Sequence, residues 1–492
     1  MTKQNEGCPV FADEILRRTA LWSVPFFIAI SAVGAGAQTT PPIGVAPLPI
    51  PGPYTGSSTP IIESSVPGIP ALSSRPGARY TVYLDFGGFS FTGNWANNAS
   101  YTPGVTPAYG TDGNPNAFSA SEIANIQNIW SRVSEKYTEF NVNVTTVDPA
   151  VAAGQAGSDL ARQNYYDNTP DMMHTVIGGS DTWYPNAGGV SYVGVTPYSE
   201  TGSNGLHTNW IFSAEAPTNL QFVGEAAAHE NGHGFGLLHQ SDYSGSTLIN
   251  EYSGGNSLYA PTMGDSYSAQ RGLWAQGTSH QNSSGPTIQT DVQVIANDPN
   301  MGGFINDGIG HTRLTATALP LSAGSIDFTN AKGTIVPASS ASPVPLGAAN
   351  YTADWWSFST SGGQVTINAI SGRSTINPGV ADPGMTLHTV LDLYGSSGNL
   401  VADVHTSNLN ETFSGILSGG SYFAEISPAA DASESSYTTR SFFDEGDYFL
   451  TGSIPAVPEP AAISIGLLVV GGLVVHRRRF LFAPRRNQSA RV

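Results

Sequence analysis

The segment from Ala226 to Asp242 holds three of the ten histidines of this 492-residue chain within eleven residues. His229 and His233 are four residues apart, His239 follows six residues later, and Glu230 adjoins the first histidine. Residues four apart on a helix face the same side, so the imidazoles of His229 and His233 can reach one ion. Glu230 is rotated from them by about 100°, which places its carboxylate beside the ion. The spacing therefore predicts a metal site.

Gly234 and Gly236 predict the end of that helix, because glycine accepts the positive φ that a tight turn needs. The turned chain can bring His239 back as a third ligand. Three neutral imidazoles leave a fourth position for water, which is the open geometry of a catalytic zinc ion. Zinc lowers the pKa of its bound water toward ~7, and a neighbouring carboxylate can accept the proton as the water attacks a carbonyl. With Glu230 as the general base, these residues predict hydrolysis of peptide bonds by a zinc-activated water.

Residues 229–239 read HENGHGFGLLH and match HExxHxxGxxH, the signature of the metzincin zinc metalloproteases, which this chain resembles. The resemblance implies that His229, His233 and His239 are the zinc ligands and that Glu230 is catalytic. It also implies a methionine in a tight turn below the metal, packing there without ligating it. Met263, in the segment YAPTMGD, is the residue that fits this role.

Two positions near the motif limit what the resemblance implies. Some metzincins have a fifth-ligand tyrosine two residues after the methionine, but Asp265 occupies that position here. No tyrosine is therefore assigned a catalytic role. Asp242 follows His239 by three residues, as in metzincin branches where the aspartate supports the fold, and it is not expected to bind the metal.

Charge and cysteine content exclude other classes of protein. Nine of the 19 basic residues but four of the 37 acidic residues lie outside 38–456, so that segment has a net charge of −23. Such a surface repels phosphate backbones, and nucleic acid is not expected as a partner. The sole cysteine, Cys8, lies in a segment that we expect to be removed, so neither a disulfide nor a thiolate ligand is predicted.

The N-terminal 37 residues predict a secretory signal peptide. Arg17 and Arg18 precede the apolar run Ala20–Val33, and Ala35-Gly36-Ala37 forms an A-x-A cleavage site. A buried hydrophobic helix is the alternative, but residues 38–77 form a Pro-rich linker that offers nothing to pack against. The chain is therefore expected to be exported.

The C-terminal segment 455–492 has the order Pro-Glu-Pro, apolar run and arginine cluster. The run Ala461–Val475 is short for a membrane helix, and Arg477–Arg479 would stop it on the cytoplasmic side. This order resembles the PEP-CTERM sorting signal of Gram-negative bacteria, which implies an exosortase-type enzyme as a partner. It implies transient anchoring in the inner membrane and then a cell-surface or extracellular location. A plain C-terminal anchor is the alternative.

The segment between these ends predicts two domains. Residues 78–296 contain strand-like segments and the helices 119–137 and 219–235, with Ser119 or Ser121 as an N-cap. We expect an α+β catalytic domain, metzincin-like by resemblance, with a mixed sheet and long helices. Residues 297–454 contain short strands separated by Gly/Ser/Asn turns and predict an all-β sandwich.

The predicted sandwich resembles the bacterial pre-peptidase C-terminal domain. The resemblance rests on residues 354–358 (DWWSF), 391–394 (LDLY) and 419–423 (GGSYF). In the pair Trp355-Trp356, packing is favoured over a carbohydrate platform, because one side of a strand faces the core.

Two further alternatives remain open. The stretches 109–116 and 297–308 could coordinate calcium as a second cofactor, but neither has the spacing of an EF-hand loop, and solvated turns are favoured. The predicted function is a secreted zinc endopeptidase acting on a protein or peptide substrate. The alternative is a non-enzymatic cell-surface or biofilm-matrix binding protein with a vestigial protease-like domain. The presence of Glu230 favours the enzyme.

Overall fold

The computed structural model describes residues 68–457 except residues 115 and 156 and the segments 199–203, 281–285, 373–379 and 435–439. The predicted signal peptide, the linker up to residue 67 and the sorting signal from residue 458 onward lie outside the described residues. Among the helices of the described ranges, none combines the length and the apolar character that a bilayer crossing requires.

The first part of the chain, through residue 296, mixes helices and strands. Its helices are α1 (Ala120–Lys136), α2 (Pro149–Ala152), α3 (Asp159–Asn168), α4 (Leu220–Gly234) and α5 (Asp291–Ala296). Its strands are β1 (Tyr80–Asp85), β2 (Phe89–Ser90), β3 (Val105–Thr106), β4 (Val142–Thr145), β5 (Met172–Ile177), β6 (Gly189–Val190), β7 (Thr208–Ile211), β8 (Asp242–Ser244), β9 (Thr247–Asn250), β10 (Tyr259–Pro261), β11 (Arg271–Leu273), β12 (Ala275–Ser279) and β13 (Thr287–Thr290).

The main sheet of this part has the strand order β4-β1-β5-β7-β6. The first four strands are parallel, while β6 pairs antiparallel with β7 and forms one edge. All six residues of β5 are buried, as expected for a strand that is covered on both faces. The predicted mixed sheet is therefore present, with a short antiparallel edge strand.

Helix α1 begins as the sequence predicts. Ser119 accepts a hydrogen bond from the backbone of Glu122, whose side chain reaches back to the backbone of Ser119 and completes a capping box. Its apolar face buries Ile126, Trp130 and Val133. This face packs on α4, where Gly224 leaves room for Arg132, because a Cβ at residue 224 would lie 2.9 Å from the Cβ of Arg132.

The second part of the chain is built from strands, so the chain as a whole is β-rich. These strands are β14 (Thr317–Ala318), β15 (Leu321–Ser322), β16 (Ser325–Ile326), β17 (Lys332–Ile335), β18 (Asp354–Thr360), β19 (Gly363–Ser371), β20 (Thr389–Gly395), β21 (Leu400–Val404), β22 (Glu411–Leu417), β23 (Gly420–Pro428), β24 (Ser433–Glu434), β25 (Arg440–Phe442) and β26 (Gly446–Ser453).

Two sheets form the sandwich. One has the order β14-β18-β23-β20-β21, and the other has the order β15-β16-β26-β19-β22 with β17 also paired to β26. Alternation is regular in β18, where Trp356 is buried and Trp355 lies on the outer side, stacked on Tyr394 with ring centroids 5.0 Å apart. Trp356 therefore packs in the core as expected. Trp355 forms part of the outer surface.

Strand pairing and side-chain contacts cross the predicted boundary at 296/297. Strand β25 pairs with β12, which lies more than 160 residues earlier, and the two complete a four-stranded sheet of order β13-β12-β25-β24. Arg271 of β11 also pairs with Asp444 at 2.9 Å, and Ser131 of α1 donates to Asp382 at 2.7 Å. The sandwich segment therefore contributes a strand to the part of the chain that carries the histidine motif.

Candidate metal centre

Helix α4 carries the first half of the motif. Asn219 caps its start by accepting a hydrogen bond from the backbone N–H of Phe222 at 3.1 Å. At its end, Gly236 has a φ of 102°, and the N–H of Leu237 donates to the carbonyl of Gly232 at 3.0 Å. This is the Schellman arrangement that the predicted glycine turn requires, and it reverses the chain toward His239.

The structure brings the three predicted ligands together. The Nε2 atom of His233 lies 3.0 Å from Nε2 of His229 and 3.1 Å from Nε2 of His239. In a tetrahedral site with zinc–nitrogen bonds of about 2.0–2.1 Å, neighbouring nitrogens are about 3.3–3.4 Å apart. The observed separations are close to this value.

The other ring nitrogen of each histidine fixes its tautomer. The Nδ1 of His229 lies 2.8 Å from the carbonyl of Thr262, and the Nδ1 of His233 lies 2.7 Å from the carbonyl of Leu237. A carbonyl accepts hydrogen bonds and cannot donate them, so each Nδ1 carries the proton and each Nε2 carries a lone pair. Lone pairs facing each other at about 3 Å repel unless a cation lies between them, and the residues present therefore fit a metal ion.

Burial keeps two of these imidazoles neutral. It lowers the pKa of His229 well below its usual range, and the neighbouring His233 and His239 lower it further. Burial has the same effect on the pKa of His233, again reinforced by His239. Neutral imidazole is the form that binds zinc.

Glu230 follows His229 on α4 and is not one of the group whose ligand atoms converge. Its side chain is buried, and neither carboxylate oxygen has a hydrogen-bond partner among the described residues. It lies against edge strand β6, where a Cβ at Gly189 would fall 2.7 Å from its Oε1. Burial raises the pKa of Glu230 well above its usual range.

Met263 occupies a tight turn that packs against the helix carrying His229 and His233. The N–H of Gly264 donates to the carbonyl of Pro261 at 2.8 Å and closes the turn. The sulfur of Met263 packs against α4, since a Cβ at Gly232 would lie 2.7 Å from it. The preceding carbonyl, that of Thr262, is the one that holds His229. This turn thus supports the site without offering a ligand.

Sequence reasoning missed the residue that holds the third histidine. The Nδ1 of His239 lies 3.0 Å from the carboxylate of Glu251, and the ring of Tyr252 packs on His239 with centroids 4.2 Å apart. The hairpin of β8 and β9 returns the chain from His239 to Glu251. The turn residues at 244–246 (SGS) are the sequence signal for this hairpin.

A second missed residue comes from the sandwich segment. Arg440 of β25 is fully buried and donates to the carbonyl of Ser241 at 3.0 Å and to Asp242 at 3.2 Å. It also lies 3.4 Å from the side-chain oxygen of Gln240. Arg440 therefore binds the three residues that follow His239, including Asp242, whose carboxylate accepts from the guanidinium.

The two segments considered as calcium loops take no part in a metal cluster among the described residues. Two groups of at least three His, Cys, Asp or Glu side chains there could hold an ion, and neither includes a residue of 109–116 or 297–308. One group is His229, His233 and His239, and the other lies in the sandwich.

Comparisons with known proteins add little to this geometry. No protein-family model matches the chain, and no curated protein matches it. Among solved structures, the chain is similar to the pre-peptidase C-terminal domain of a collagenase from Bacillus anthracis. The identity is 14% and the TM-score 0.16, over 28% of this chain and 90% of that one. A similarity at this level carries no argument about function, so any assignment rests on the site itself.

Proposed function

We propose that this chain is a zinc-dependent endopeptidase of the metzincin type. In this proposal His229, His233 and His239 bind the zinc ion, and Glu230 is the general base. The observation that carries it is the convergence of three Nε2 lone pairs beside a buried glutamate whose oxygens have no partner among the described residues. A hydrolase of this kind needs both features at one place.

The chain's own residues have distinct roles in the reaction. When bound, zinc supplies Lewis acidity, which acidifies water and polarises a carbonyl. The carbonyls of Thr262 and Leu237 and the carboxylate of Glu251 orient the imidazoles through their Nδ1 protons. Glu230 accepts the proton of the attacking water on a carboxylate oxygen and then delivers it to the leaving amine nitrogen.

Edge strand β6 supports a peptide as the substrate. An extended peptide can add to the free edge of a sheet through backbone hydrogen bonds. Glu230 contacts Gly189 of this strand, so a chain lying along the edge would pass beside the base. The same arrangement would not be needed for hydrolysis of a small soluble ester.

Two elements support the metzincin assignment beyond the motif. The sheet ends in an antiparallel edge strand next to the helix that carries HExxH. The turn containing Met263 packs under that helix at Gly232. The turn is the one that the family resemblance implies.

Replacement of Glu230 is the test of this proposal. Glu230→Ala should retain zinc and the fold but lose the base, which typically contributes ~10²–10⁴-fold to the rate. The assay compares peptide hydrolysis by wild type and variant at equal zinc occupancy. Glu215→Gln, which removes a carboxylate outside the site, serves as the matched control and should retain full activity.

Two results would contradict the proposal. Equal, non-zero rates in wild type and Glu230→Ala would exclude Glu230 as the base. No hydrolysis by either form, with peptides of varied sequence, would favour the binding-protein alternative with a vestigial site.

The end segments extend the proposal to location. The predicted signal peptide and sorting signal make the chain an exported protein, anchored briefly in the inner membrane and then released to the cell surface or medium. An exosortase-type enzyme is the proposed processing partner. Mass spectrometry of released protein should find a start near Gln38 and no Arg477–Arg479, and retention of those arginines would contradict this part of the proposal.

A further inference from the structure

The second candidate group consists of His388, His405 and Asp431. It lies at one end of the sandwich sheet with the order β14-β18-β23-β20-β21. The ligand atoms of all three lie within 4.8 Å of one another. Strand pairing explains why they meet, because Thr389 of β20 is opposite Pro428 of β23 and Leu391 is opposite Val404 of β21. His388, just before β20, therefore lies near His405, just after β21, and near Asp431, in the segment after β23. We call these three residues the sandwich cluster.

His388 is held rigidly. Its backbone N–H donates to Asp444 at 2.7 Å, and its carbonyl accepts from the N–H of Ala429 at 2.9 Å. Its Nε2 lies 3.0 Å from the carbonyl of Thr406. Because a carbonyl only accepts, Nε2 carries the proton and Nδ1 carries the lone pair. This is the orientation that metal-binding histidines commonly have.

The lone pair of His388 faces the other members of the cluster. Its Nδ1 lies 3.9 Å from a carboxylate oxygen of Asp431, too far for a hydrogen bond. The ring of His405 is edge-on to that of His388, with centroids 5.5 Å apart. Neighbouring ligand atoms of one zinc ion are about 3.3–3.4 Å apart, so the exposed side chain of Asp431 has to approach His388 by only about 0.5 Å to share an ion with it.

Further negative charge lies on the same face of the sheet. Asp392 of β20 and Asp403 of β21 are directly opposite each other in the strand pairing. Two carboxylates at facing positions repel each other, and a cation nearby relieves that repulsion. They add to the attraction of this end of the sandwich for a positive ion.

We propose that His388, His405 and Asp431 form a second metal site, which binds a divalent transition-metal ion of the zinc class. Two imidazoles and one carboxylate suit such an ion, whereas calcium and magnesium prefer oxygen ligands alone. Three protein ligands leave coordination positions to water. The site is independent of the proposed catalytic centre and does not rest on the proposed peptidase activity.

The second site has a structural consequence. Asp444 accepts from the N–H of His388 at 2.7 Å and from that of Ala430 at 3.0 Å, and it pairs with Arg271 at 2.9 Å. Two of the groups that hold Asp444 therefore belong to the sandwich cluster or adjoin it: His388 is a proposed ligand, and Ala430 precedes the proposed ligand Asp431. An ion at the sandwich cluster stabilises the loops that join the sandwich to the motif-bearing part of the chain.

Zinc content of the purified chain tests this inference. The wild type should bind two equivalents of zinc. His405→Ala, an exposed position whose replacement should not disturb folding, should bind one, as should Asp431→Asn. His311→Gln is the matched control, because His311 is an exposed histidine of the same sandwich outside the cluster, and it should bind two.

A second set of variants distinguishes zinc bound at the sandwich cluster from zinc bound at the proposed catalytic centre. The double variant His233→Ala/His239→Ala should still bind one equivalent of zinc, and this zinc should raise the melting temperature of the variant. Adding His405→Ala to the double variant should abolish that remaining zinc binding. Two equivalents in both wild type and His405→Ala, or one equivalent that His405→Ala retains, would overturn the second site. A single equivalent lost in His405→Ala but kept in His233→Ala/His239→Ala would overturn the proposed catalytic centre and leave the second site standing.

Discussion

At the scale of single residues, each ligand depends on a hydrogen bond from its far ring nitrogen. Two of these bonds go to backbone carbonyls, which no side-chain substitution removes. The third goes to the carboxylate of Glu251. Burial acts to raise the pKa of that carboxylate, but the hydrogen bond from His239 and the electrostatic effect of His239 and His280 together lower it. Among the three ligands, His239 is therefore the one whose orientation can be altered by substituting another side chain, that of Glu251.

Replacing Glu251 should weaken zinc binding. Glu251→Ala removes the acceptor for the Nδ1 proton of His239, and loss of such a partner typically costs 10–100-fold in metal affinity. Glu251→Gln keeps an acceptor oxygen and should fall between wild type and Glu251→Ala. Competition with a zinc chelator measures the dissociation constants, and unchanged affinity in Glu251→Ala would contradict this role.

The sequence predicts the ligands but not the residues that hold them. His229, Glu230 and His233 follow from helical spacing, and Gly236 explains the return of the chain to His239. Glu251 lies twelve residues from His239, and its contact depends on the exact length of a hairpin. The carbonyls of Thr262 and Leu237 have no signature in residue type at all.

At the scale of elements, β25 joins the sandwich segment to the metal centre. It adds Arg440 to the loop after His239, where the guanidinium donates to Ser241, Asp242 and Ser253. Both Arg440 and Asp242 are buried, so removing one charge leaves the other without compensation. Breaking a buried pair in this way typically costs about 3–5 kcal/mol.

Arg440→Met should therefore lower the free energy of unfolding by about 3–5 kcal/mol and weaken zinc binding. Asp242→Asn/Arg440→Met should recover part of the stability, because no buried carboxylate is then left unpaired. Lys332→Met, at an exposed lysine of the sandwich, is the control and should have little effect. Urea denaturation and zinc titration provide the measurements, and a loss in Arg440→Met no larger than in the control would contradict the role of β25.

The elements differ in how well the sequence predicts them. Strands of the sandwich such as β18 and β20 alternate buried and outer residues and are recognised from that pattern. Strand β25 has three residues, and its pairing partner β12 is distant in the sequence, so no local pattern predicts the pair. The boundary predicted at 296/297 follows the loss of helical periodicity along the chain. That local change cannot reveal that β25, much later in the sequence, pairs with β12 of the first part.

At the scale of the whole molecule, several buried carboxyls make stability depend on pH. Burial raises the pKa of Asp167, Asp298 and Asp354 to about 7 and that of Asp291 to about 6. In the unfolded chain these groups titrate near 3.8. Between these values the folded chain holds protons that the unfolded chain has released, so stability decreases as pH rises through this window.

Asp167 offers a specific test of this pH dependence. Asp167→Asn removes one such group, and each group changes the free energy of unfolding by up to about 1.4 kcal/mol per pH unit. The difference in stability between variant and wild type should therefore shift in favour of the variant from pH 5 to pH 7. Asp112→Asn, at an exposed carboxylate, is the control. A difference that stays constant with pH, measured by thermal melts, would contradict the raised pKa of Asp167.

The contact between Arg440 and Gln240 spans 200 residues of sequence. A ribosome adding 5–20 residues per second needs roughly 10–40 s to cover that distance. During this interval the nascent chain already contains the full HExxHxxGxxH segment but lacks the guanidinium that orders the loop behind His239. If the chain is the exported peptidase proposed above, this order of synthesis predicts that the nascent chain stays inactive until it is nearly complete.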